Sequence, residues 1–244
     1  MEQAVEYILA SELTVAFTGA GISVESGIPP FRGENGLWST VDPGFIEIDY
    51  FHRRPKQSWE KIREIFYDNL LDTQPNPAHY ALADMEQMGL LEAVITQNID
   101  DLHRKAGNTN IYEFHGTAGR FVCEKCGRKS NTVNMDTLPP KCEQCGGLIK
   151  PDFVFFGEPI PDEARTMSFR LAEACDVMIL VGTSGFVVPA SFVPTLAKQN
   201  GAHIIEINLQ PSNYTDSVAD IFLQGKASEI LSELVTLLRA RMDQ

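Results

Sequence analysis

With 244 residues, 43% of them hydrophobic and 22% charged, the chain can bury a full core, as one large domain or one plus a small insert. Its net charge of −13 argues against a general nucleic-acid binder, which needs clustered Lys and Arg to neutralise phosphates. No apolar run reaches the ~18 residues of a membrane span, and the N-terminus MEQAVEYILASEL holds acids but no basic residue, so a cytoplasmic enzyme without membrane or secretory segment is expected.

A helix over Glu2–Ala10 leads to a strand over Leu13–Thr18, and Gly19-Ala20-Gly21 follows at once. The dinucleotide pattern Gly-x-Gly-x-x-Gly fails here, because Val24 holds the third place and no ribose-binding acid follows near position 40. A longer amphipathic helix over 56–71 sets Trp59, Ile62, Phe66 and Leu70 at helical spacing. Asn76-Pro77 reads as the N-cap and first residue of a helix that ends at Gly89. A strand over Leu91–Thr96 precedes a short helix, Asp100–Ala106, with Gly107 past its end. Beyond residue 160 come a helix (Asp162–Ala174), a strand (Val177–Val181), a helix near Ala190–Asn200, strands at His203–Asn208 and Ile221–Leu223, and a helix over Ala227–Arg241.

This alternation predicts an α/β fold: a Rossmann-like, mostly parallel sheet with helices on both faces. Ligands of such sheets bind beyond the carboxyl ends of the strands. Four of those ends, FTGAG, ITQNID, LVGTSG and IEINL, turn abruptly from apolar to small, hydroxyl- or amide-bearing residues. Together they predict a nucleotide lying across the sheet edge, with Asn208 in place of the missing acidic ribose partner.

Between Thr117 and Lys150 the pattern changes. Cys123-x2-Cys126 and Cys142-x2-Cys145, fifteen residues apart, have the spacing of two zinc knuckles. Four thiolates leave no place for water, so a structural Zn²⁺ is expected; disulfides are the rival reading. Cys175 reads as a small buried apolar residue. Residues 118–150 hold six basic and three acidic side chains, a net of +3 against −16 for the rest. That leaves open a zinc-ribbon nucleic-acid module, although interleaved aromatics for base stacking are missing.

The ordered set GAGISVESGIPPFRG, TQNIDDLHRKAG, FHGT, the CxxC pair, KPDFVFFGE and VGTSGFVVPA resembles the sirtuins, NAD-dependent protein-lysine deacylases. With EIN at 206–208 and GKASEIL near the C-terminus, the resemblance covers nearly the whole chain. It implies a Rossmann-like NAD-binding domain (1–28, 77–116 and 151–244), a cofactor-binding loop and helical insert (29–76) and a zinc-ribbon module (117–150). NAD⁺ would be consumed as a co-substrate and acetylated protein lysines would be the partners; a monomer is expected. The implied reaction has the acyl oxygen attack C1′ as nicotinamide leaves, giving free lysine and 2′-O-acetyl-ADP-ribose. Mono-ADP-ribosyl transfer and removal of longer acyl groups are the alternative activities.

The resemblance also distributes roles. Gly19, Ala20 and Gly21 would let the backbone approach the pyrophosphate, with Ser23, Gly182, Thr183 and Ser184 adding hydrogen bonds. Phe31, Arg32, Trp38, Ile99, Asn208, Lys226 and Ala227 join the cofactor set, and Gln97, Asn98 and Asp100 contact the ribose and nicotinamide amide. Asn98 and His115 are the catalytic residues, His115 as general base toward a ribose hydroxyl. Val154, Phe156, Gly157 and Glu158 would wall an apolar acyl-lysine tunnel, with Phe153 and Phe155 alternating into the core. Gly185, Phe186, Val187 and Val188 would form a strand-like segment against the substrate, although a larger aliphatic residue is usual at 185. His79 and His103 read as structural. Members that prefer succinyl-lysine carry Tyr-x-x-Arg on the helix preceding the Pro-Asn pair. Here Tyr50 and Arg53 lie upstream of that helix; counting back from Pro75-Asn76 places Arg63 and Phe66 at the two positions, and counting forward from Pro55 places Ile62 and Ile65 there. Neither count gives a Tyr/Arg pair, so acetyl-lysine is expected over succinyl-lysine.

Overall fold

The computed structural model describes residues 1–31, 36–68 and 73–243. Six parallel strands form the main sheet: β1 (Thr14–Thr18), β2 (Ala93–Thr96), β3 (Ile111–Glu113), β7 (Val177–Val181), β8 (His203–Asn208) and β9 (Ile221–Gln224), in the order β3-β2-β1-β7-β8-β9. Every residue of β1, β2 and β7 is buried, which suits their continuous apolar runs to a sheet covered on both faces. One core lies under α1 (Glu2–Ala10), α5 (Pro77–Gln87) and α9 (Ala227–Met242), the other under α7 (Asp162–Ala174) and α8 (Phe192–Gln199). Among the described residues no helix is long and apolar enough to cross a membrane.

Strand order reverses between β1 and β7, the place where such sheets open a crevice. The register sets Thr18 beside both Thr96 and Val181, and Val181 beside Ile207. The loops after four strands therefore leave the sheet at one level, on one edge.

Local signals set several boundaries. Asn76 accepts the Ala78 N–H at 2.9 Å, and His79 Nδ1 accepts the Asn76 N–H at 3.3 Å, a reciprocal cap on α5. The helix expected over 56–71 is instead α4 (Pro55–Ile62) followed by a π-helical turn, Arg63–Tyr67; residues 69–72, Leu70 among them, lie outside the described residues. The widened turn advances the chain by an extra residue, and adjacent Phe66 and Tyr67 both end up buried. Two further helices precede it, α2 (Leu37–Thr40) and α3 (Ile48–Arg53).

Residues 116–153 form a small antiparallel sheet, β5-β4-β6, from β4 (Gly116–Cys123), β5 (Lys129–Ser130) and β6 (Ile149–Phe153). It shares one aromatic core with the helical insert: Phe45, Phe51, Trp59, Phe66, Tyr67, Phe121, Phe153 and Phe155. Polar tips of that core cross over as well, Trp59 Nε1 donating to the Ile149 carbonyl at 2.8 Å and Tyr67 Oη to the Ala118 carbonyl at 2.9 Å.

Candidate active site

The two loops at the reversal touch through glycines. Gly19 N–H donates to the Val181 carbonyl and Gly21 N–H to the Gly182 carbonyl, at 3.0 and 2.8 Å. A Cβ on Gly21 would stand 2.5 Å from the Gly182 Cα, and one on Gly19 would stand 2.8 Å from the Gly182 oxygen. Gly182 itself has φ +60°, and a Cβ there would strike the Ile22 amide nitrogen. The crossing of the two loops alone accounts for glycine at 19, 21 and 182. The segment after Gly19 is a 3-10 turn, Ala20–Ser26, rather than an α-helix.

Behind this crossing lies a cavity of about 370 Å³ lined by Ala20, Ser23, Phe31, Phe66, Asn98, Ile99 and Asp100, among others. Buried Ser23 is its polar hub: its hydroxyl donates to Asp100 Oδ2 at 2.7 Å and accepts from Asn98 Nδ2 at 3.2 Å. Asn98 Nδ2 also donates to the Gly19 carbonyl at 3.1 Å. Asp100, not Asp101, caps α6 (Leu102–Ala106), accepting the Leu102 N–H at 2.9 Å, while Asp101 takes a left-handed φ of +63° and pairs with Arg104 at 3.2 Å. Burial pushes the Asp100 carboxyl above its usual range.

His79 lies beneath Ser23. Its Nδ1 accepts from Asn76, so the neutral ring carries its proton on Nε2, 3.4 Å from Ser23 Oγ. His103 stacks edge-on against it at 4.9 Å and reaches Thr18 Oγ1 at 2.9 Å. Burial lowers His79 to about 3, assisted by His103, and His103 to about 4. Both rings are neutral at pH 7. His79, expected to be structural, caps α5 through Nδ1 and lies beneath the polar hub through Nε2.

A second cavity of about 530 Å³ shares Phe31, Phe66 and Ile99 with the first. His115 faces it from the end of β3, and Val154 to Glu158 form one wall, with Val187 and Val188 opposite. His115 Nδ1 lies 3.0 Å from the Gln97 carbonyl, which can only accept, so Nδ1 carries the proton and the neutral ring holds its lone pair on Nε2. Gln97 in turn donates from Nε2 to Thr183 Oγ1 at 3.0 Å. Val154 N–H donates to the His115 carbonyl at 2.8 Å, tying the wall to the histidine. Phe153 and Phe155 are buried while Phe156 is 44% exposed, the alternation that the sequence predicts.

Other expected residues fall elsewhere. Trp38 lines the second cavity and stacks on Phe31 at 5.5 Å. Asn208 Nδ2 donates to the Thr183 carbonyl at 3.0 Å, and the Ser184 carbonyl accepts from Asn213. Lys226 pairs with Glu229 at 3.5 Å at the start of α9 beside buried Ala227, and neither lines the two cavities. Residues 187–191 form a turn closed by Ser191 N–H on the Val187 carbonyl, not a strand. Gly185 precedes it with φ +76°, where a Cβ would meet the Tyr214 ring at 3.0 Å; exposed Phe186 follows. Arg32 lies outside the described residues.

The four knuckle cysteines converge, their Sγ atoms all within 4.8 Å of one another. Cys123–Cys145 and Cys126–Cys142 approach to 3.5 and 3.8 Å. A tetrahedral Zn²⁺ with bonds of ~2.3 Å has sulfur–sulfur edges of ~3.8 Å, so the cluster fits the ion. None of the four is joined in a disulfide, and their convergence suits thiolates around one ion. Burial pushes the Cys175 thiol up to about 12, as befits a core residue.

Known proteins share this arrangement over the same span. The Sir2 family pattern matches residues 19–189. An NAD-dependent protein deacylase of Pyrococcus abyssi is 45% identical over 95% of this chain and 95% of its own. An NAD-dependent protein deacetylase of Saccharolobus solfataricus is 39% identical over 99% and 98%. An ADP-ribose complex of a mutant Sir2 homologue superposes with a TM-score of 0.94 at 38% identity, covering 100% of this chain and 98% of that one. A Sir2 complex with a p53 peptide and NAD⁺ gives 0.85 at 33%, covering 97% and 98%. In sequence pattern and overall shape alike, the chain belongs to the Sir2 family.

Proposed function

We propose that this protein is an NAD-dependent protein-lysine deacetylase whose products are the free lysine, nicotinamide and 2′-O-acetyl-ADP-ribose. The observation that carries the reading is the placement of His115: its Nδ1 donates to the Gln97 carbonyl, which fixes the tautomer, and the ring lines an apolar cavity. Residues 1–28, 77–116 and 151–244 bind the dinucleotide, and the inserts 29–76 and 117–150 complete the cleft. Ser23, Asn98 and Asp100 form a pre-organised polar hub toward the ribose and nicotinamide end. The wall Val154–Glu158 receives the acetyl-lysine chain, which carries no charge and is cheap to bury. Once the acyl oxygen has displaced nicotinamide at C1′, His115 takes a proton from a ribose hydroxyl whose oxygen bonds the former acyl carbon; the lysine amine leaves, and one water completes 2′-O-acetyl-ADP-ribose.

The four thiols hold one Zn²⁺, which contributes folding energy to the small sheet and stands apart from the chemistry. Four cysteines gathered at metal-binding distances, a role that requires thiolates, support a cytoplasmic location. Mass spectrometry of the products from NAD⁺ and acylated peptides tests the proposal. Equal amounts of nicotinamide, free lysine peptide and 2′-O-acetyl-ADP-ribose are expected. Transfer of labelled ADP-ribose to protein without consumption of the acetyl-peptide would overturn it.

A further inference from the structure

Lys150 carries a charged head into the interior, its side chain only 8% exposed. An ammonium so placed is strongly unfavourable unless its donors find acceptors. Nζ lies 3.1 Å from the Pro151 carbonyl, 2.9 Å from the Phe153 carbonyl and 3.0 Å from Glu158 Oε2. The Phe155 ring lies 4.4 Å from it as well. Glu158 Oε2 also accepts the Phe155 N–H at 2.8 Å. Glu158 Oε2 is thereby engaged by two of the protein's own groups. One ion pair closes a bracket around residues 150–158, and the middle of that bracket, Val154 to Gly157, is the wall of the second cavity.

Both ends of the bracket are anchored. Lys150 pairs with Val122 across β4 and β6, directly beside the Cys123–Ile149 pair, so its backbone is one register step from a metal-binding cysteine. At the far end, Phe156 N–H donates to the Ile46 carbonyl and the Phe156 carbonyl accepts from Ile48, fastening the wall to the helical insert. Gly157 turns the chain with φ +92°, returning Glu158 toward Lys150.

We propose that Lys150 and Glu158 are positioning residues for the acyl-lysine substrate: their buried ion pair holds the wall Val154–Gly157 in place and ties it to the metal module through β6. The inference rests on the reading of the second cavity as the acyl-lysine site. It gives Glu158 Oε2 the task of holding the wall.

The experiment compares Lys150→Met, Glu158→Gln and the double variant with the unaltered, zinc-loaded enzyme. Initial rates against acetyl-peptide and NAD⁺, binding of ADP-ribose by calorimetry and zinc per chain are measured for each. For Lys150→Met, KM for the acetyl-peptide should rise tenfold or more, with ADP-ribose affinity within twofold and one zinc retained. The double variant should cost no more than Lys150→Met alone, because the two groups act as a unit. An unchanged peptide KM overturns the proposal. So does a parallel loss of ADP-ribose binding or zinc, the mark of a general structural role. Should Lys150→Met fail to fold, Glu158→Gln, which keeps the side-chain shape and an acceptor for Phe155, decides by the same readouts. An unaltered enzyme that does not deacetylate the peptide at all would instead refute the functional reading beneath it.

Discussion

Gly21 and Gly182 approach each other so closely that the N–H of one bonds the carbonyl of the other at 2.8 Å and neither has room for a Cβ. Gly182→Ala would add a left-handed penalty to the clash with the Ile22 amide. It is expected to lower stability by about 3 kcal/mol or more. Thermal unfolding should show it directly, alongside Gly201→Ala, which also has a positive φ but no neighbour within reach of a Cβ. Equal loss in both variants would mean that strain, not the crossing of the loops, sets the requirement.

Removing the imidazole separates binding from chemistry. His115→Ala should cut deacetylation by roughly 10²- to 10⁴-fold. ADP-ribose affinity should stay within a few-fold, since Ser23, Asn98 and Asp100 make their own hydrogen bonds without it. Rate measurements beside calorimetry check both halves, and a loss of binding that matches the loss of rate would rule out the base.

Acyl choice turns on where the cations point. Arg63 aims away from both cavities, reaching the Met135 carbonyl at 3.4 Å and Asp68 at 3.8 Å. Arg165 lines the second cavity from its solvent side, half exposed, and shares a screened surface pair with Asp162 at 3.0 Å. An unpaired succinyl carboxylate would lose several kcal/mol on burial, so kcat/KM should fall by about 100-fold or more relative to acetyl. Matched peptides measure this, and succinyl at or above acetyl refutes it. Arg63→Ala should leave the ratio unchanged.

Metal loss should spread beyond its ligands. Cys142→Ala is expected to abolish zinc binding and to melt the small sheet, whose folding is coupled to the ion. Because Phe121 and Phe153 of that sheet pack with Trp59 and Phe66 of the insert, activity should fall too. Elemental analysis and peptide assays are the checks; a metal-free variant with full activity would sink the expectation.

Acid should destabilise the fold well before its carboxylates titrate. His79 and His103 are lowered to about 3 and about 4, whereas in the unfolded chain each protonates near 6.5. Below 6.5 the unfolded state therefore binds more protons, and stability falls as pH drops toward 4, then 3. Above 6.5 the two contribute a constant amount. The slope is about 1.4 kcal/mol per pH unit for each histidine. Urea unfolding at pH 7.5, 6 and 5 should show it, and His79→Gln should flatten the slope.

Much of this architecture was legible from local chemistry. Asn76-Pro77 announced the start of α5 because a cap depends on residues two and three places away. Phe153 and Phe155 were readable as core because strand alternation has a period of two. The cysteine knuckles converge as their spacing predicts. Other features needed the third dimension. Glycine at 19 and 21 had a ready explanation in phosphate approach, while its contact with Gly182 joins residues some 160 positions apart. The π-turn at 63–67 leaves no mark in a helical periodicity that still fits Trp59, Ile62 and Phe66. Asp100 and Asp101 both stand at the start of α6, and only the fold shows that it is the Asp100 carboxylate that accepts the Leu102 N–H. Lys150 looks like an ordinary surface lysine in sequence, and only its burial reveals the partner.

Phe31, Phe66 and Ile99 belong to both cavities, so the two chambers have a common partition. Two ligands resting on one set of side chains are thermodynamically linked. Whatever ordering of those three residues the first occupant brings about need not be repeated for the second, and the gain enters the affinity of the second. Linkage also makes the effect reciprocal: the factor by which an acyl-peptide alters the affinity for the nucleotide equals the factor by which the nucleotide alters that for the peptide. These three shared side chains are the path by which occupancy of one chamber would be felt in the other.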